Sequence, residues 1–306
     1  MRMIIIYKWE WLSFTLCINA IKSTLMKYLL TFLLSISINT IACEKAVDPN
    51  RITSAGGSIT EIIYFLEQES KLIAVDITSN FPASARELPS IGYVRQLSAE
   101  GVLSLDPTLI IGENDMGPPS VIEQIKRTNV EIKILPEIHS AAGIINKIEC
   151  VAKMIGMNDN EIDFYNNKLI EQIAELNAIT SKVDSKKIIY ILSMQSGSPL
   201  IAGSNTSGDG LISLAGGINP LSSFEGWKPV GTESIIQAEP ELILISERGL
   251  NGFGTIEELK KHPALYLTPA AQNDNIIALD GMASLGFGPR TIDIALQLAK
   301  NLNASY

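Results

Sequence analysis

Gly56-Gly57-Ser58 follows a β-rich run and opens a helical pattern, an arrangement in which backbone N–H groups at a helix N-terminus can hold a phosphate. Neither G-x-G-x-x-G nor G-x-x-x-x-G-K-[ST] occurs, and Glu61 would set negative charge beside the anion. The turn therefore reads as a strand-to-helix corner, with Ser58 and Glu61 as a capping box. His139 and His262 are the only two histidines in the chain, too few for a multi-histidine zinc site. No G-x-S-x-G elbow is present and nothing links either histidine to a serine. Cys150 falls within the apolar pattern Ile144, Ile145, Ile148, Val151, Ala152, Ile155, the setting of a small core residue, and no disulfide framework is expected. With no catalytic constellation assembled, the chain reads as a binder. A nucleotide-using α/β enzyme is the alternative from another class.

The elements that would position a site alternate along the chain. Runs at 51–55, 71–76, 108–112 and 131–136 predict strands, separated by helical patterns from Ser58, over 98–104 and over 119–128. Helices are expected over 141–154 and 161–181, the second capped by Asp159 or Asn160 and carrying Ile162, Tyr165, Leu169, Ile173 and Leu176 on one face. Strands at 187–193, 241–246 and 276–280 follow, with helices over 209–215, 232–238, 256–261 and 290–302. The pattern predicts an α/β chain of two Rossmann-like lobes with mainly parallel sheets, joined by a long connecting helix, and if the lobes face each other a ligand cleft lies between them. The expected bounds are 47–140 for the N-terminal lobe, 141–182 for the helical connector and 183–306 for the C-terminal lobe.

The lobes share a local repeat. Glu100-Gly101-Val102-Leu103-Ser104-Leu105-Asp106-Pro107-Thr108-Leu109-Ile110-Ile111 corresponds to Glu233-Ser234-Ile235-Ile236-Gln237-Ala238-Glu239-Pro240-Glu241-Leu242-Ile243-Leu244 at a constant offset of 133. In each copy a glutamate opens a short helix, proline ends it and a buried strand follows. The same offset sets Arg95 opposite Lys228, one cation from each lobe for a cleft.

The stretch Leu88-Pro89-Ser90-Ile91-Gly92-Tyr93-Val94-Arg95-Gln96-Leu97, continuing through Glu100 to Pro107, resembles the haem-binding members of the periplasmic substrate-binding proteins that serve ABC importers. The likeness continues through Ala55-Gly56-Gly57-Ser58, Ala74-Val75-Asp76-Ile77-Thr78-Ser79, Ala202-Gly203-Ser204-Asn205-Thr206, Leu214-Ala215-Gly216-Gly217 and Leu285-Gly286-Phe287-Gly288. Taken alone, Tyr93 would be a loop tyrosine; the resemblance implies that it is the axial ligand of ferric haem b, the transported cargo. A phenolate is a hard anionic donor suited to Fe(III). An extended 92–95 segment would turn Arg95 to the same side as Tyr93, to favour the ionised phenol, and Arg95 and Lys228 would be the cations for the propionates. Where some members carry a histidine, this chain has Ser193-Met194-Gln195, so Met194 is expected to pack in the core or cleft. Glu100 and Glu233 are implied to dock on the permease of an ABC importer with its ATPase, although each also suits its helix N-terminus. An outer-membrane haem receptor would lie upstream. A cobalamin or ferric-siderophore binder of the same fold is the nearest alternative.

Composition frames this reading. The chain has 306 residues, with 24 Lys and Arg against 33 Asp and Glu, a net charge of −9, which excludes a nucleic-acid binder relying on a broad positive surface. Met26-Lys27-Tyr28 followed by an apolar stretch from Leu29 to Ile41 reads as an export signal over 1–42, with Met26 the expected true start. Thr40-Ile41-Ala42 suits cleavage before Cys43, leaving the product free in the periplasm or lipid-anchored through Cys43. Loss of Arg2, Lys8, Lys22, Lys27 and Glu10 with the leader would shift the charge from −9 to −12.

Overall fold

The computed structural model describes residues 43–181, 185–195 and 198–304. The leader expected over 1–42, with its start at Met26, lies outside the described residues. From Cys43 onward the chain forms one compact unit holding two sheets in series. Among the described residues no helix is long and apolar enough to cross a membrane.

The first sheet runs β2-β1-β3-β4, with β1 at Ile52–Ala55, β2 at Leu72–Val75, β3 at Leu109–Glu113 and β4 at Glu131–Leu135, all parallel. Parallel strands are covered on both faces, which demands near-continuous apolar runs such as Leu109-Ile110-Ile111. On one face Ile52, Leu109 and Ile111 pack with Ile59 and Ile62 of α1 (Gly57–Phe65) and with Ile144 and Ile148 further along. On the other, Ala55 and Ile110 meet Val102 of α2 (Ala99–Leu103) and Ile122 and Ile125 of α3 (Pro119–Lys126).

Two helices follow, α4 (Ala141–Met154) and α5 (Asp159–Thr180). The α5 helix has 22 residues, about 33 Å at 1.5 Å per residue. Asn158, one position earlier than expected, is its cap, in a reciprocal box with Glu161. Ile162 and Leu169 of α5 belong to the first core and Leu176 to the second, so the helix bridges the two cores.

The second sheet runs β7-β6-β5-β8-β9, from β5 (Ile188–Gln195), β6 (Ser198–Ala202), β7 (Trp227–Pro229), β8 (Leu242–Ser246) and β9 (Ile276–Leu279). β5, β8 and β9 are parallel, while β6 and β7 are antiparallel additions that the sequence reading missed. Pro229 ends β7, an edge strand, where no donor is required of it. Around this sheet lie α6 (Ser207–Leu214), α7 (Thr232–Ala238), the short α8 (Glu247–Asn251), α9 (Ile256–Lys260), α10 (Pro269–Gln272) and α11 (Gly281–Leu285), then α12 (Pro289–Ala304).

The repeat at offset 133 is structural. β3 and β8 occupy equivalent residues, and Asp106 and Glu239, equivalent positions before the two prolines, both adopt positive φ of 51° and 50°. Thr108 N donates to Arg51 O at 3.0 Å and Glu241 N to Lys187 O at 2.8 Å, again at equivalent places.

Two expectations fail. Ser58 and Glu61 form no capping box: Gly56 is the N-cap of α1 without a side-chain cap, because both side chains are drawn to partners distant in sequence. Cys150 is not an unpaired thiol but forms a disulfide with Cys43, 107 residues away. It packs only partly against the core, and the chain start returns over α4, where Ala46 N donates to Met154 O at 2.9 Å.

Candidate functional site

In an open parallel sheet, ligands sit beyond the carboxyl ends of the strands, where the strand order reverses. In the first sheet that crevice lies between β1 and β3, at Gly56-Gly57-Ser58 and Glu113. It is already filled. Ser58 Oγ donates to Glu113 Oε2 at 2.8 Å, Gly56 N donates to Asp76 Oδ1 at 3.2 Å, and Asp76 also accepts from Thr78 and Ser79. Glu113 is buried and ion-paired with buried Lys147, which donates to Gly286 O at 3.1 Å. Burial pushes the Glu113 carboxyl upward, with Lys147 opposing. The helix N-terminus that would receive a phosphate thus faces the protein's own carboxylates. Gly57 is also closed in by the other half of the chain, since a Cβ there would come within 2.6 Å of Met282 Cε.

The next loops at this sheet end carry the predicted site. Gly92, at φ 85°, lets the chain turn after the bridge between Val75 and Ser90. Ile77 N donates to Gly92 O at 3.0 Å. The 92–95 segment is not extended: Tyr93 has φ −84° and ψ 129°, then Val94–Gln96 coils into a single 3₁₀ turn. The turn arises because Val94 is buried in the core below. Arg95 still reaches back, and its Nη1 donates to the Tyr93 hydroxyl at 2.7 Å. Its Nη2 lies 2.8 Å from Oδ2 of Asp115, in the loop after β3. Burial works against the Arg95 charge, but Asp115 and then Tyr93 outweigh it and raise the pKa above its ordinary value. Burial raises the Asp115 carboxyl, with Arg95 opposing it and Glu137 adding to it. Glu137, in the loop after β4, is held low by the His139 imidazole 3.8 Å away.

Lys228 lies on β7, opposite Ile201, with Nζ 5.6 Å from the centre of the Phe224 ring. It is exposed, and among the described residues no carboxylate is ion-paired with it. The structure therefore joins Tyr93 and Arg95 directly and places Lys228 on the other sheet. Met194, half-buried near the end of β5, packs against the second sheet's core. Glu100 and Glu233 are exposed in the first turns of α2 and α7. Among the described residues no group of three or more His, Cys, Asp or Glu could hold a bare metal ion.

Sequence reasoning missed Asp115, Glu137 and the ties that join the two halves. Glu61, buried, accepts from Arg290 N at 2.9 Å and Arg290 Nε at 2.8 Å, and Arg290 stacks under Phe81 with Cζ 3.9 Å from the ring centre. At Glu61 the sequence offers only its spacing of three from Ser58, which fits the capping-box pattern.

The periplasmic binding protein family matches residues 52–283. Among solved structures, the periplasmic heme-binding protein RhuT from Roseiflexus sp. RS-1 is 33% identical, with a TM-score of 0.79 over 84% of this chain and 99% of that one. The periplasmic heme-binding protein HutB of Vibrio cholerae is 35% identical, with a TM-score of 0.72 over 84% and 98%. The Vitamin B12-binding protein of Vibrio parahaemolyticus is 23% identical over 83% of this chain and 90% of its own length.

Proposed function

Because the chain belongs to the periplasmic binding protein family, whose members bind and carry rather than catalyse, we propose that it captures ferric haem and delivers it to the permease of an ABC importer. Tyr93 is the axial ligand of the haem iron, Arg95 stabilises its oxygen, and Lys228 receives propionate charge from the opposite lobe. The lobes are assigned to 47–140 and 183–306, with 141–182 between them. The observation that carries this reading is the half-buried phenol with a guanidinium nitrogen 2.7 Å from its oxygen. The guanidinium is placed to hydrogen-bond the oxygen that would bind Fe(III). The names of RhuT and HutB support haem as the cargo. The family supports a periplasmic location, a compartment in which a disulfide such as Cys43–Cys150 persists.

Purified protein titrated with hemin is expected to give a Soret band and the absorption of a ferric phenolate complex, and Tyr93→Ala to lose both. An unchanged spectrum and affinity in that variant would remove Tyr93 as the ligand. The name of the Vibrio parahaemolyticus relative supports cobalamin as a second reading; saturable cobalamin binding without hemin binding would select it.

A further inference from the structure

Arg95 is an exposed arginine on a surface turn, and such a side chain left free samples many rotamers and loses entropy when fixed. Here two of its nitrogens are committed to different partners, Nη1 to Tyr93 at 2.7 Å and Nη2 to Asp115 at 2.8 Å. Asp115 is itself held in place. Its loop is stitched to the Tyr93 turn on both sides, with Gly117 N donating to Val94 O at 3.0 Å and Leu97 N to Gly117 O at 2.8 Å. Met116 N closes the loop on Glu113 O at 2.9 Å. The Asp115 side chain is only 24% exposed, against 58% for Arg95, so the carboxylate is the better-anchored member of the pair.

The geometry points to Asp115 as a positioning residue that holds Arg95 against the Tyr93 hydroxyl and so commits this cation to the ligand oxygen, leaving the cargo's carboxylates to Lys228. The inference rests on the haem reading above. The charges agree with it: Asp115 offsets Arg95, and the Glu137 charge acts on both. An acidic surround of this kind does not attract a dianion. Lys228, exposed and with no ion-paired carboxylate among the described residues, has no such acidic partner.

Two probes separate the roles. Hemin uses both the iron ligand and the propionates, whereas metal-free protoporphyrin IX keeps the propionates and lacks the iron. Asp115→Ala is expected to weaken hemin binding about tenfold and reduce the phenolate-to-iron charge-transfer band, with protoporphyrin affinity changed less than about twofold. Asp115→Glu is expected to restore most of the band. Lys228→Gln is expected to weaken both probes alike and leave the band intact. Equal loss of both probes in Asp115→Ala, or no change in either, would overturn the inference. Wild-type protein that binds hemin without a phenolate band would instead overturn the haem-ligand reading on which it rests.

Discussion

Glu137 carries a consequence for acid stability. The neighbouring His139 imidazole holds its carboxyl below the usual range, so the folded state binds its proton later than the unfolded chain as pH falls. The stabilisation is complete above the ordinary carboxylate pKa and is lost as pH drops through the lowered folded value. With the Glu137 side chain 40% exposed, solvent screening limits the effect to the order of 0.5 kcal/mol. Glu137→Gln is thus expected to unfold at slightly lower temperature than wild type at pH 7, with the gap closing near pH 3; a gap that widens on acidification would refute this. Residue by residue, the sequence showed groups whose role depends on type and not on partner. Tyr93, Arg95 and Lys228 stood out as the donor and cations of a candidate cleft. Asp115 and Glu137 did not, because a loop carboxylate has no distinguishing pattern until the fold sets an arginine beside it. Glu61 misled for a related reason: its spacing from Ser58 satisfies the capping rule, but an arginine far along the chain competes for the buried carboxylate and wins.

At the scale of elements, the 133-residue offset was the most legible feature because it is enforced locally: proline stops the short helix, the preceding residue takes positive φ, and an apolar run continues as the strand. The antiparallel pair β6 and β7 was illegible, since short strands containing proline are defined by their neighbours and not by their own period. Arg95 and Lys228, equivalent by count, lie in unlike structures, a 3₁₀ turn and an edge strand, so the echo does not extend back to them. It does extend to α2 and α7, whose first turns each expose one glutamate. If these equivalent helices meet the two halves of a permease, Glu100→Lys with Glu233→Lys is expected to abolish haem uptake by cells while hemin affinity stays within about twofold. Uptake at the wild-type rate would remove the docking role. Acidic residues also suit helix N-termini, but a lost macrodipole contact of at most about 1 kcal/mol at the surface cannot by itself silence transport.

Across the whole molecule, the two halves are joined by buried polar ties as well as by α5. Arg290 holds Glu61, Lys147 reaches Gly286 O, and the His139 ring lies 5.0 Å from that of Phe287. Of these, the Glu61–Arg290 pair has its carboxylate buried, where loss of a partner is most costly. The first core also takes Phe287 and Ile292 from the end of the chain. Order of synthesis follows from this. A ribosome that has finished all four strands of the first sheet has not yet made two of that sheet's core side chains or the partner of its buried Glu61. The first half thus lacks part of its core until the last helix is made. A chain ending at Gly286 is expected to lose hydrogen-exchange protection in β1 and β3 as well as in the second sheet. Native-like protection of those two strands would mean that the first half folds alone.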